Sequence, residues 1–204
     1  MKNKIIAVIG AGGKTTLIHR LAEEYRRKGA SVLVSTTTHM LVEPDTDLSC
    51  DSFAIMEKIK KTGYCMAGAV CPENSAKMQS LPEQMLHDLM KQVDYALIEA
   101  DGAKHYALKY PSEQEPVIPE GTTDVILLLG SWDLGKPCKD VVFRFEHMTS
   151  ALGISGDMKT DKQMLQWIWQ AYEEKLKNMD YQGHFHVLLS EKTDQGLMFH
   201  TLEE

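Results

Sequence analysis

Long apolar runs, paired cysteines and an excess of positive charge are all missing from this chain. No apolar stretch approaches the roughly 20 residues that span a bilayer, so a membrane protein is not expected. The four cysteines, Cys50, Cys65, Cys71 and Cys138, form no Cys-x-x-Cys pair. Such scatter reads as reduced thiols in a cytoplasmic protein rather than a disulfide framework or a metal site. The net charge is −7, with lysines and arginines dispersed along the chain. Nucleic acid is therefore not an expected partner, because binding a phosphate backbone requires a positive surface. Internal repeats, low-complexity segments and a composition break are also lacking, which leads us to expect one domain over residues 1–204.

What is present is an alternation of apolar strands and amphipathic helices. Ile5–Ile9 is a continuous apolar run, as in a strand buried on both faces of a parallel sheet. It follows a basic start, as a secretory leader would, but it is short and a glycine loop follows at once, so it reads as the first strand. A helix is expected over about Lys14–Lys28, with Leu17, Ile18, Leu21, Ala22 and Tyr25 on one stripe and Gly29 as its left-handed cap. Ser31–Val34 reads as the second strand. Farther on, short strands are expected near Phe53–Met56 and Tyr64–Val70. A capping box at Ser80–Glu83 should open a helix carrying Met85, Leu86, Leu89 and Met90. Tyr95–Ile98, Val125–Leu129 and Phe185–Leu189 read as core strands, and Pro111–Thr123 as a loop. A last helix opens at Thr160-x-x-Gln163, with Trp167 and Trp169 as one core and one surface aromatic. The expected fold class is α/β: a P-loop NTPase-like, doubly wound, mostly parallel sheet with helices on both faces.

The chemistry concentrates at strand ends. Gly10-Ala11-Gly12-Gly13-Lys14-Thr15-Thr16 lies between a buried strand and a helix. Glycines let backbone N–H groups turn toward phosphate oxygens, and the helix N-terminus adds a positive dipole end. Lys14 can reach β- and γ-phosphates, and the Thr15 hydroxyl can ligate Mg2+. The spacing is a shortened variant of the Walker loop, since Val8 stands where the full pattern needs glycine. A dinucleotide fingerprint fits worse, because its third glycine falls on Thr15. Glu99-Ala-Asp101 directly follows a buried strand. Its two acids are candidates for holding the metal or its water and for orienting an attacking water. Thr36–Thr38 either extends the second strand or forms a loop that senses the γ-phosphate, and His39 alone reads as structural or surface. Leu188–Asp194 is a weakened form of a guanine-reading Asn-Lys-x-Asp motif, with Glu191 in the asparagine position. A solvated turn accounts for it better.

Several segments then occur in a telling order: Gly10–Thr16, Thr36-Thr-Thr-His-Met40, Ile98-Glu-Ala-Asp-Gly-Ala-Lys104, Glu115-Pro-Val-Ile-Pro119, Gly135-Lys-Pro137 and Phe143-Arg-Phe-Glu146. Over roughly residues 4 to 194 the chain resembles the YqeC-like family of accessory proteins for selenium-dependent molybdenum hydroxylases. The family usually carries His-Arg-Pro-Glu where this chain has Phe143–Glu146. The resemblance implies a nucleotide site at Gly10–Thr16, an acidic motif at Glu99–Asp101, and a role in maturing such a hydroxylase or inserting its cofactor. From the residues alone, an ATP- or GTP-dependent hydrolase with Mg2+, a small-molecule kinase and a nucleotide-gated binding module all remain open. The shortage of arginines for a lid over the phosphates favours the first over the kinase, and the acid pair favours it over the module.

Overall fold

Ile5–Ile9 forms the interior of the first strand, β1 (Lys4–Gly10), and every residue of that run is buried. Continuous burial matches a strand covered on both faces. In the computed structural model, which describes residues 3–202, contacts group the chain into two compact units. The start of the basic leader-like segment, Met1 and Lys2, lies outside the described residues. The first unit holds the chain up to Val8, Thr15–Gly102 and Val117–Asp124; the second holds Ile9–Lys14, Ala103–Pro116 and the chain from Val125 onward.

In the first unit, α1 (Lys14–Arg27) leads to β2 (Val32–Thr36) and β3 (His39–Leu41). Then come α2 (Ser52–Thr62), β4 (Tyr64–Met66), β5 (Ala69–Val70), β6 (Lys77–Gln79), α3 (Glu83–Lys91) and β7 (Tyr95–Glu99). The strands β1, β7, β2 and β4 are neighbours in that order and all pair in parallel. The register sets Glu99 level with Val8 on one side and Thr36 on the other, so the carboxyl ends of three strands finish together. A separate antiparallel sheet has the order β3-β6-β5. The core joins Leu33, Ala96 and Ile98 of the strands to Ile55 and Ile59 of α2 and to Leu86, Leu89 and Met90 of α3.

Phe53–Met56 is helical, not extended as its apolar run had suggested. A run of four apolar residues does not separate helix from strand; the flanking caps do. The Asp51 carboxylate accepts from the N–H groups of Phe53 and Ala54, and Gly63, at φ 75°, closes the far end by donating to Ile59 O. Ile55 and Ile59, four apart, then face inward while Phe53 is exposed. The expected capping box at Ser80–Glu83 does not form: Pro82 precedes the helix without a side-chain cap, and the Ser80 hydroxyl donates to Leu81 O instead.

The second unit contains β8 (Leu108–Lys109), β9 (Asp124–Gly130), α4 (Cys138–Val141) and β10 (Val142–Phe143), followed by α5 (Phe145–Leu152), α6 (Lys162–Asn178), β11 (His184–Thr193) and β12 (Gly196–Thr201). Strands β12, β11 and β9 are neighbours in that order, with β11 and β12 an antiparallel hairpin; β8 pairs with β10 in parallel. The α6 cap is Asp161, whose carboxylate accepts from Met164 N–H, rather than Thr160, whose hydroxyl lies within bonding distance of the Asp133 and Lys136 carbonyls. Met164, Leu165, Ile168, Tyr172 and Leu176 are buried as the helical period requires, while Trp167 and Trp169 are both half-buried rather than one inside and one outside. The architecture is thus α/β with a mostly parallel sheet. Among the described residues no helix is long and apolar enough to cross a membrane.

Candidate functional site

The loop after β1 is built from residues that tolerate positive φ. Gly10, Gly12 and Gly13 stand at φ 81°, 100° and 101°, where any other L-residue is strained. Space enforces the choice as well. A Cβ on Gly10 would lie 2.4 Å from Leu128 O, and one on Gly12 would lie 2.6 Å from Gly130 N. The Ala11 N–H donates to Leu128 O at 2.9 Å, and the Ser190 hydroxyl donates to Gly12 O at 2.6 Å. The loop is therefore a fixed backbone form held from β9 and β11. Lys14, 5% exposed, turns back across it and donates from Nζ to Gly10 O at 2.8 Å.

Lys14 opens α1, and its neighbour Thr15 donates from its hydroxyl to Glu99 Oε2 at 3.0 Å. Glu99 ends β7 and Asp101 follows two residues later; both are buried. Thr15 and Glu99 thus bring two oxygen donors together, with the buried Asp101 two residues farther on, and oxygen is the donor type a hard cation such as Mg2+ takes. Thr16, also on α1, is exposed. The Glu99 carbonyl accepts from the Thr36 hydroxyl at 2.8 Å and from Thr37 N–H at 3.1 Å. In this structure, then, the threonine run is tied to the end of β7.

The late motif Leu188–Asp194 is exposed from Glu191 onward, as its charges suggest, but the turn begins only at Asp194. Its residues as far as Thr193 belong to β11, with Glu191 paired to Met198 and Lys192 to Leu197. Ser190 points inward and supports the glycine loop, a role no sequence signal announced. Lys109 likewise carries no signal in the sequence. It is fully buried, and its Nζ lies 2.6 Å from Glu115 Oε2, which also meets Arg144 Nη2 at 2.8 Å. Arg144 further reaches the Ser112 hydroxyl. Lys104, Lys109 and Arg144 all approach the Phe143 ring within 5.5 Å. The segments Glu115–Pro119 and Phe143–Glu146 thus meet through one carboxylate shared by two cations. Of the cysteines, Cys65 is pushed up to about 11 by burial, which keeps it a neutral thiol near neutral pH.

The segments that carry the loop, the acidic strand end and Arg144 coincide with a known family: the YqeC protein family matches residues 6–146. The chain belongs to that family. It is 33% identical over 161 residues to the Escherichia coli K12 protein described as "Uncharacterized protein YqeC", an alignment covering 75% of this chain and 62% of that relative. The chain thus spans less than two thirds of the length of the curated relative it matches. No solved structure matches it.

Proposed function

We propose that the segment Gly10–Thr16 holds the phosphates of ATP or GTP with Mg2+, and that the protein is a P-loop NTPase-like hydrolase serving the maturation of a selenium-dependent molybdenum hydroxylase. The observation that carries the nucleotide reading is the Thr15–Glu99 contact, placed directly after a loop with three positive-φ glycines and a buried lysine. Loop amides and the N-terminus of α1 supply donors for phosphate oxygens. Lys14 exchanges Gly10 O for a β- or γ-oxygen, a neutral acceptor for a charged one. Thr15, Glu99 and Asp101 hold the cation, directly or through its water, and one of the two acids orients the attacking water. The bound cation would neutralise charge on the β- and γ-phosphates. The client assignment rests on the family resemblance and not on the loop.

Calorimetry with a non-hydrolysable triphosphate, together with phosphate-release assays, tests the reading. Lys14→Ala should lose a charge-assisted contact of roughly 1.5–3 kcal/mol, about one to two decades in affinity, while remaining folded by circular dichroism. Unchanged affinity in the variant overturns the phosphate site. Binding without hydrolysis, alone and with a candidate hydroxylase, leaves a nucleotide-gated binding module.

A further inference from the structure

Three residues outside the glycine loop and its acids form a second constellation. His39 opens β3, and Cys71 and Glu73 follow β5. The strand between them, β6, pairs with both: Gln79 is the register partner of His39 on one side and of Ala69 on the other. This arrangement gathers positions 39, 71 and 73, whose spacing in the chain announces nothing. One ligand atom from each residue, an imidazole nitrogen, the Cys71 sulfur and a Glu73 carboxylate oxygen, lies within 4.8 Å of the other two. Cys71 Sγ is 3.4 Å from Glu73 Oε2.

Metal–ligand bonds of 2.0–2.3 Å in tetrahedral geometry put neighbouring donors about 3.6 Å apart. The sulfur–oxygen pair, at 3.4 Å, is close to that separation, and an imidazole nitrogen of His39 lies within 4.8 Å of both. Nitrogen, sulfur and oxygen together form the mixed set of a borderline cation, and Ca2+ or Mg2+ would want oxygen alone. Cys71 is 3% exposed, whereas His39 and Glu73 face solvent. The protein therefore closes one side of the cluster with the thiol and leaves the other open to water.

We propose that His39, Cys71 and Glu73 bind one divalent zinc-type cation, with water completing the coordination. Binding needs the thiolate, so the Cys71 proton leaves to solvent as the sulfur–metal bond forms. Cobalt(II) is the probe, added anaerobically to the reduced, tag-free full chain. One equivalent should produce a thiolate-to-cobalt charge-transfer band that zinc abolishes by displacement. Cys71→Ser should lose the band, and Cys50→Ser, at a half-buried thiol outside the cluster, should keep it. His39→Ala and Glu73→Gln, both at exposed positions, should weaken cobalt binding by more than the roughly tenfold typical of losing an outer-shell partner. These two variants keep the test valid should Cys71→Ser fail to fold. Absence of the band in the native chain, its survival in folded Cys71→Ser, or unchanged affinity in both exposed variants overturns the site. The glycine loop plays no part in these readouts, so failure here is separate from failure of nucleotide binding.

Discussion

The Thr15 hydroxyl and the Glu99 carboxylate, 84 residues apart in the chain, meet at 3.0 Å. The contact joins the first turn of α1 to the end of β7, and a cation binding there would replace it with two metal–oxygen bonds. Glu99→Gln keeps an oxygen acceptor for Thr15 but removes the charge. Asp101→Asn makes the corresponding change at a fully buried position. Both variants should bind triphosphate with little loss, since loop amides and Lys14 remain, while Mg2+-dependent phosphate release falls by at least about tenfold, a loss of about 1.4 kcal/mol in transition-state stabilisation. Normal Mg2+-dependent hydrolysis in both variants would reduce the acid pair to a buried turn.

Gly12 and Gly29 both have positive φ, 100° and 80°, but differ in surroundings. Nothing lies within 4 Å of a Cβ on Gly29, whereas a Cβ on Gly12 would meet Gly130 N at 2.6 Å and Ser190 Oγ at 2.9 Å. Gly29→Ala should cost only the backbone strain, about 1–2 kcal/mol. Gly12→Ala adds an overpacking cost of about 1–3 kcal/mol, because the obstacle is backbone that cannot rotate away. Urea denaturation of the two variants measures the difference. Equal losses would mean the loop yields freely, contrary to the support it receives from β9 and β11.

Legibility in the sequence followed how local the cause was. The strand at Ile5–Ile9, the stripe of α1 and the strand at Tyr95–Ile98 announce themselves because burial writes an apolar pattern into neighbouring residues. The positions of the glycine loop between β1 and α1 and of Glu99 at the end of β7 are local too, each lying in one short segment. The helix at Ser52–Thr62 is not legible from its four-residue apolar run, which fits either period; the signals that decide it, Asp51 and Gly63, flank the run. Ser190, Lys109 and the cluster of His39, Cys71 and Glu73 could not be read, since each owes its role to a partner placed by strand pairing or by a turn far along the chain.

Asp94 gives the fold a defined acid sensitivity. The backbone N–H of Ser31 and then its hydroxyl hydrogen-bond to the Asp94 carboxylate, each at 2.8 Å, and hold its pKa below the ordinary value. A carboxyl whose folded pKa is lowered contributes stability that is fully present above the unfolded value of about 3.9. That contribution is lost as pH falls through the lower folded value. Asp94→Asn retains an acceptor but not the charge, so it should be less stable than the native chain at neutral pH, by less than about 1 kcal/mol because solvent screens a partly exposed carboxylate. The gap should close on acidification below the unfolded value. Thermal melts of both proteins across that range test the sign; a gap that persists or widens in acid would show that Asp94 acts through shape and not charge.

The threonine run after β2 makes a sharper demand on the nucleotide reading. Thr36 is fully buried, and its hydroxyl is already committed to Glu99 O. Thr37 and Thr38 are only half-buried: the Thr37 hydroxyl donates to Val117 O at 2.7 Å, and Thr38 N–H donates to Thr36 Oγ1 at 3.0 Å. A hydroxyl that leaves a backbone carbonyl for a γ-phosphate oxygen, or for a water on the cation, gives up a neutral acceptor for a charged one. That exchange is favourable only while the triphosphate is present. Thr36 should therefore stay in place as the hinge, and the change should begin at Thr37 and run toward Pro44. Amide hydrogen exchange should show the Thr37–Glu43 amides more protected with a non-hydrolysable triphosphate than with diphosphate, with Thr36 alike in both. Equal protection of the whole segment in the two states would make the threonines a structural extension of β2. It would leave the protein without a γ-phosphate-dependent element here, and so favour a simple binding module over a nucleotide-switched accessory protein.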